Sequence, residues 1–352
     1  MISISRQTIA IGAILIAIAG IAYVSGRDNG TTAPPLGIGN EAAWTRYIAE
    51  VGPDTAYARF SELIAGESVP QQHSHAHFFG AALFDAVGVS GLPTCDSRYS
   101  FGCFHEFLGH AIRDLGLDVV EELNRGCHEA LPHTFLSCQH GIGHGVYAHF
   151  GYDDEASLFK ALEVCAALPD ADVIGGCYGG VFMEYNLRTM WGESAQNREP
   201  TDDIQYPCSV VEERFVPACV YWQPQWWTSV VRGKTSAPDS EEVMRQLGGY
   251  CVASRNRKDC YEGIGNIILS ESRDRSGQPS EMLARSLCAA AARSKADELR
   301  CLSVAANHFG IDVSKEAALA VCSELSGDSH AYCAQHADNT ANIAQRIPFP
   351  EL

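Results

Sequence analysis

Histidines crowd into one stretch of this chain, at spacings that suit a metal site. Ten of the 13 histidines lie between His73 and His149, in a chain of 352 residues. His73 and His77 are four residues apart, and so are His140 and His144. Because residues four apart share one face of a helix, each pair can hold one metal ion. The sequence therefore predicts a histidine-rich metal site built on helices.

Counting from the preceding cysteine places several of these groups in a common register. His105 lies two residues after Cys103, while His140 and His144 lie two and six residues after Cys138. Positions two, six and seven form a stripe roughly 140° wide on a helix. We therefore expect consecutive helices to present one set of side chains to a shared surface or cavity, namely His105, Glu106, His110, His140, His144 and Glu184.

From this set we predict that His110, His140 and His144 ligate the metal, with His105 or His77 as the next ligand. Imidazole and carboxylate donors together suit a divalent transition metal such as zinc, iron, copper or manganese. The small number of methionines and the expected pairing of the cysteines argue against a Cu(I) site. The alternative for any single histidine is helix capping or packing between helices.

Two glutamates are the candidate catalytic groups. In an incomplete coordination shell, Glu106 or Glu184 would act as general base toward water or substrate. The alternative for Glu106 is to orient a ligand imidazole through its other nitrogen. His105-Glu-Phe-Leu-Gly-His110 is not the zincin motif, because its histidines are five residues apart. Oxidation and hydrolysis both remain open as reactions.

The 14 cysteines fall into seven pairs along the chain. Within a pair, 7 to 12 residues intervene, and between pairs 20 to 31. An even number of cysteines with such spacing predicts complete pairing in an oxidising compartment, across short turns between helices. The predicted disulfides are Cys95/Cys103, Cys127/Cys138, Cys165/Cys177, Cys208/Cys219, Cys251/Cys260, Cys288/Cys301 and Cys322/Cys333.

The pairs advance by 32 to 43 residues, which is a typical period for helical hairpins. We predict one all-α domain over residues 41–352, with about seven disulfide-pinned hairpins in an α/α solenoid or an α/α toroid. Glycines early in the second helix of a hairpin, such as Gly143, Gly180 and Gly263, would let helices approach closely.

This arrangement of disulfide-pinned hairpins resembles, in architecture, the disulfide-linked repeats of cysteine-rich, tetratricopeptide-like secreted proteins. The stretch that matches their repeats is Cys260-Tyr-Glu-Gly-Ile-Gly265. That resemblance implies the main alternative function, a helical-repeat scaffold without catalysis. Such a scaffold would bind a peptide, glycan or partner protein in its concave face or cavity. Metal storage or delivery is a third interpretation.

The N-terminus has the composition of a membrane anchor. Thr8–Val24 contains no charged residue, and the following residues fit a cleavage site poorly. We therefore predict a signal anchor, or else a signal peptide, in residues 1–28 and a linker in residues 29–40, with the domain on the periplasmic or extracellular side. The net charge of −18 argues against nucleic acid as a partner.

Overall fold

The structure, a computed structural model, describes residues 37–132, 135–171, 174–190, 196–234, 239–274, 276–338 and 349–350. The predicted anchor in residues 1–28 lies outside these ranges, and so does the predicted linker up to residue 36. Within them, none of the helices combines the length and the apolar composition needed to cross a membrane. Residues Ile38–Leu352 form one compact unit.

The described part of this unit is almost entirely helical, as predicted. Its fifteen α-helices are α1 (Glu41–Val51), α2 (Pro53–Ile64), α3 (Val69–Val87), α4 (Gly102–Leu115), α5 (Val120–Ala130), α6 (Phe135–Phe150), α7 (Ala156–Ala166), α8 (Cys177–Asn186), α9 (Val216–Lys234), α10 (Ser240–Ala253), α11 (Arg257–Glu271), α12 (Glu281–Ala291), α13 (Lys295–Asp312), α14 (Lys315–Val321) and α15 (Gly327–Asp338). One antiparallel pair of two-residue strands, β1 (Leu187–Arg188) and β2 (Gln196–Asn197), follows α8.

Polar side chains start many of these helices. The Asp239 carboxylate accepts a hydrogen bond from the backbone N–H of Glu242, and Asn256 caps α11 in the same way through Asp259. Ser280, Ser294 and Ser314 cap α12, α13 and α14. Each cap satisfies a backbone donor that has no partner inside the helix, which fixes where the helix begins.

Seven disulfides pin successive helices, and they join the predicted partners. The Cα–Cα distances lie between 5.4 and 5.8 Å, which suits unstrained pairing across a short connection. The described residues contain no free cysteine. Seven disulfides indicate that the protein folds in an oxidising environment outside the cytoplasm.

The second helices of the hairpins form a continuous row. In order along the chain, α3, α4, α6, α8, α9, α11, α13 and α15 each contact the next. The Ser100 hydroxyl, just before α4, also donates a hydrogen bond of 3.3 Å to Asp312 at the end of α13. This contact joins the segment before α4 to the end of α13.

Glycines allow the close approach between neighbouring helices in this row. A Cβ atom on Gly180 of α8 would lie 1.9 Å from the carbonyl oxygen of His140 on α6. A Cβ atom on Gly143 would lie 2.1 Å from the carbonyl oxygen of Cys177. Backbone contacts as short as these exclude any side chain, so the glycines set the distance between the helices that carry the histidines.

Candidate functional site

Three neighbouring helices bring five histidines together. His73 and His77 lie on α3, His105 on α4, and His140 and His144 on α6. Because α4 packs between α3 and α6, the His105 ring lies between the two pairs. The cluster divides into two groups of three that share His105, a deep triad (His105, His140, His144) and an outer triad (His73, His77, His105).

The deep triad is almost completely removed from solvent. One ring nitrogen from each of its three histidines lies within 4.8 Å of the others. His105 and His140 are 6% and 7% exposed, and His144 is 0% exposed. The rings of His105 and His144 are stacked at 4.8 Å between centroids. Three imidazoles converging in a dry site are a typical ligand set for a transition metal.

A buried carboxylate fixes the tautomer of His144. The Nδ1 of His144 lies 2.7 Å from Oε2 of Glu184 on α8, and both side chains are 0% exposed. Since a carboxylate oxygen accepts, Nδ1 carries the proton and Nε2 carries a lone pair. That Nε2 atom is buried and has no hydrogen-bond partner among the described residues. A metal ion in the deep triad would satisfy it.

Glu184 itself is fully occupied by hydrogen-bond donors. Besides His144, it accepts from the Tyr152 hydroxyl at 2.5 Å, from the N–H and hydroxyl of Thr189 and from the N–H of Met190. Burial opposes ionisation, but these donors hold the pKa of Glu184 below its ordinary value. A carboxylate with both oxygens engaged is arranged to orient His144.

In the outer triad, too, protein oxygens lie beside one ring nitrogen of His73 and of His77 and leave the other nitrogen facing the cluster. The Nδ1 of His73 lies 2.8 Å from the Tyr99 carbonyl oxygen, and the Nδ1 of His77 lies 3.4 Å from Oε2 of Glu106. Both Nδ1 atoms therefore carry protons when the rings are neutral, and the two Nε2 lone pairs face each other at 3.1 Å. Two nitrogens bound to one tetrahedral zinc ion are about 3.3 Å apart. The His73/His77 pair thus fits a shared ion.

The carbonyl that orients His73 belongs to a strained segment. Tyr99, Ser100 and Phe101 have φ angles of 57°, 49° and 62°, three consecutive left-handed residues that are not glycine. Each costs on the order of 1 kcal/mol or more and needs support from surrounding contacts. The strain lies directly before α4, which carries His105.

Burial favours the neutral form of His73, His105 and His140. Removal from water, together with neighbouring imidazoles, lowers the pKa of His105 far below its ordinary range, and burial does the same for His140. Burial and the nearby His77 lower the pKa of His73 to about 4. Neutral imidazole is the form that binds a metal.

The structure places His110 away from the two triads. Its Nε2 lies 3.5 Å from Glu106 and its Nδ1 lies 3.6 Å from Asp85, and Glu41 completes a third potential group. However, guanidinium nitrogens of Arg113 lie 3.2 and 3.0 Å from the two His110 nitrogens. Because a positive charge already adjoins both nitrogens, this group is poorly suited to a cation.

His110 differs from His105 in direction because five residues on a helix correspond to 500°, a net rotation of about 140°. Glu106 lies between them in sequence and is 5% exposed. Burial opposes its ionisation, but hydrogen bonds from His110 and His77 lower its pKa to about 2. A carboxylate this acidic is a weak general base.

The sequence reasoning did not select His73 as a ligand, although the signal was present. His73 forms an i, i+4 pair with His77, the spacing that singled out His140 and His144. The sequence reasoning also missed Trp222, whose ring centroid lies 4.9 Å from that of His140. Only the packing of α9 against α8 brings it there.

A groove of about 430 Å³ lies elsewhere on the surface and shares no residue with the histidine cluster. Its lining residues are Glu121, Asn124, Arg125, His128, Ala167, Leu168 and Pro169. These residues belong to α5 and to the segment that follows α7.

Comparison with known proteins identifies no relative: no family model, no curated protein and no solved structure matches this chain.

Proposed function

We propose that this chain is an extracytoplasmic metalloprotein that binds a divalent transition metal in its buried histidine cluster and uses it as a metal-dependent enzyme. The observation that carries the proposal is the arrangement of His144. Its Nδ1 donates to Glu184, and its Nε2 lies fully buried without a partner among the described residues. A buried polar atom left this way is costly unless a ligand satisfies it.

The ligand set that this geometry favours is His105, His140 and His144. Neutral imidazoles suit Zn(II), Cu(II) and Fe(II), and the buried carboxylate behind His144 is the usual partner of a metal-bound histidine. A bound ion with three protein ligands supplies Lewis-acid chemistry and keeps a position for water or substrate. Oxidation and hydrolysis are both compatible with such a site.

The two glutamates are better suited to positioning than to proton transfer. Glu184 has donors on both oxygens, and Glu106 faces His77 at 3.4 Å with a pKa lowered to about 2. Each fixes the tautomer of one imidazole so that Nε2 points into the cluster. We therefore assign orienting roles to Glu184 and Glu106.

The scaffold alternative is less well supported at this cluster. Histidines that only pack between helices would have their ring nitrogens satisfied by protein groups. Instead, His140 Nδ1 and His144 Nε2 on α6 are buried without a hydrogen-bond partner among the described residues, and both residues belong to the deep triad with His105. Binding of a metal ion is the simplest function for that arrangement.

The proposal also retains the membrane anchor in residues 1–28 and a tandem α/α array, solenoid or toroid, behind it. The intact mass of the chain recovered from the membrane fraction tests the anchor. Retention of residues 1–28 supports it, and a mature chain that lacks them would indicate a signal peptide.

Elemental analysis of the full chain, purified without a polyhistidine tag, tests the metal. We expect one or two tightly bound transition-metal ions per chain, and replacing both His140 and His144 by Ala should remove the ion of the deep triad. His149→Ala is the matched control, because this histidine is exposed on the same helix. Absence of metal after reconstitution with zinc, copper and iron in turn would overturn the proposal.

A further inference from the structure

We infer that His105 bridges two metal ions, one held with His140 and His144 and the other with His73 and His77. This inference rests on the proposed metal-binding function and specifies its nuclearity. The ring of His105 lies between the two pairs. Its centroid is 5.5 and 5.4 Å from those of His73 and His77, and 4.8 and 6.1 Å from those of His144 and His140.

One ion would not use this set of donors. A tetrahedral zinc site takes four ligands, whereas five imidazoles are present, and the two triads share only His105. An ion in the deep triad would leave the Nε2 lone pairs of His73 and His77 facing each other at 3.1 Å. A second ion between them removes that repulsion and completes the outer triad.

The lone pairs of His105 dictate how it would be shared. A neutral imidazole has one lone pair in the plane of the ring, on the nitrogen that carries no proton, so the neutral ring binds one ion. For both nitrogens to coordinate, the N–H proton of the neutral ring must leave. Uptake of the second ion therefore releases this proton to solvent and converts the ring to imidazolate.

The two ions would differ in access. All three histidines of the deep triad are buried, whereas the outer triad includes two half-buried histidines, and the His77 side chain is 14% exposed. Exchange with solvent and with substrate should therefore begin at the outer ion. The deep ion should leave more slowly, because solvent does not reach His144.

Zinc stoichiometry of the full chain tests the bridge. After removal of metal with a chelator, we expect the wild-type chain to bind two Zn(II) ions. His73→Ala combined with His77→Ala should leave one, and so should His140→Ala combined with His144→Ala. His105→Ala should weaken both sites by about tenfold or more, since each ion loses a ligand. His149→Ala should retain two ions.

Proton release provides a measurement that needs no variant. Calorimetric titration of the wild-type chain with Zn(II), in two buffers of different ionisation enthalpy, counts the protons released near neutral pH. Binding of the second ion should release one proton, the N–H proton of His105. Neutral imidazoles that bind through a lone pair release none. Circular dichroism and a free-thiol assay would show whether each variant has folded.

The outcomes separate the two claims. A wild-type chain that binds one zinc ion, or a second ion that releases no proton, overturns the bridge and leaves the proposed metal site intact. A chain that binds no zinc, copper or iron overturns both.

Discussion

His144 donates a hydrogen bond of 2.7 Å from Nδ1 to Glu184, and neither side chain is exposed to solvent. This single contact links α6 to α8 and determines which nitrogen of His144 faces His105 and His140. Together with hydrogen bonds from Tyr152, Thr189 and Met190, it gives the buried carboxylate donors on both oxygens. A buried charge is tolerated only when it is paired in this way.

Removing the charge of Glu184 should weaken metal binding more than removing one of its donors. Glu184→Gln would lower the zinc affinity about 10- to 100-fold, because a neutral amide orients the His144 ring less strongly than a carboxylate and replaces one acceptor oxygen by a donor NH2 group. Tyr152→Phe is the matched control, since it deletes one hydrogen bond and leaves the carboxylate charged. Competition with a fluorescent zinc chelator measures the zinc affinities of the two variants. Equal affinities for Glu184→Gln and the wild type would contradict the orienting role.

A methyl group at Gly180 should disturb the site through the backbone. The Cβ of Gly180→Ala would lie 1.9 Å from the His140 carbonyl oxygen, so α6 and α8 must separate. We expect a loss of about 1–3 kcal/mol in the free energy of unfolding, together with weaker zinc binding.

Gly249→Ala is the counterpart within α10, where a Cβ would meet no atom within 4 Å. It should raise the stability by up to about 1 kcal/mol, because Ala favours a helix more than Gly does. Guanidinium unfolding of Gly180→Ala and Gly249→Ala measures both changes in the free energy of unfolding. If the two variants changed the free energy of unfolding similarly, the close approach of α6 and α8 would not depend on glycine at position 180.

His308 should make the stability of the metal-free protein depend on acid. Burial lowers the pKa of His308 to about 4, and its Nε2 has no hydrogen-bond partner among the described residues. The unfolded chain, with a pKa near 6.5, takes up the proton first as the pH falls, so acid favours unfolding.

Between pH 7 and pH 5, the wild-type chain should therefore lose about 2 kcal/mol more of its unfolding free energy than His308→Leu does. Guanidinium unfolding at the two pH values, with the disulfides intact, gives this difference. The same pH dependence in both proteins would show that His308 can be protonated without unfolding.

One disulfide can be removed without touching the histidine cluster. Cys288 and Cys301 close a loop with a sequence separation of 13 and lie on α12 and α13, which carry none of the five histidines. Replacing both by Ala should lower the free energy of unfolding by about 3 kcal/mol, since the unfolded chain gains freedom. Zinc content should stay unchanged, and a loss of zinc would reveal long-range coupling between α13 and the site.

The sequence determined the features that depend on neighbours along the chain. Half-cystines separated by 8 to 13 positions pair across one turn, so their spacing predicted the disulfides and the helices that flank them. Asp239 caps its helix through Glu242, three residues away. The i, i+4 pairs of histidines are also local, because the helical repeat alone puts both rings on one face.

Only the tertiary structure decided which nitrogens meet. His105 shares a site with His144 because α4 packs on α6, and Glu184 reaches His144 from a third helix, 40 residues later in the chain. The rotation of His110 away from His105 follows from helix geometry, but its effect depends on what packs against each face. Tautomers, burial and the Tyr99 carbonyl on His73 are contacts between distant segments, and no local periodicity encodes them.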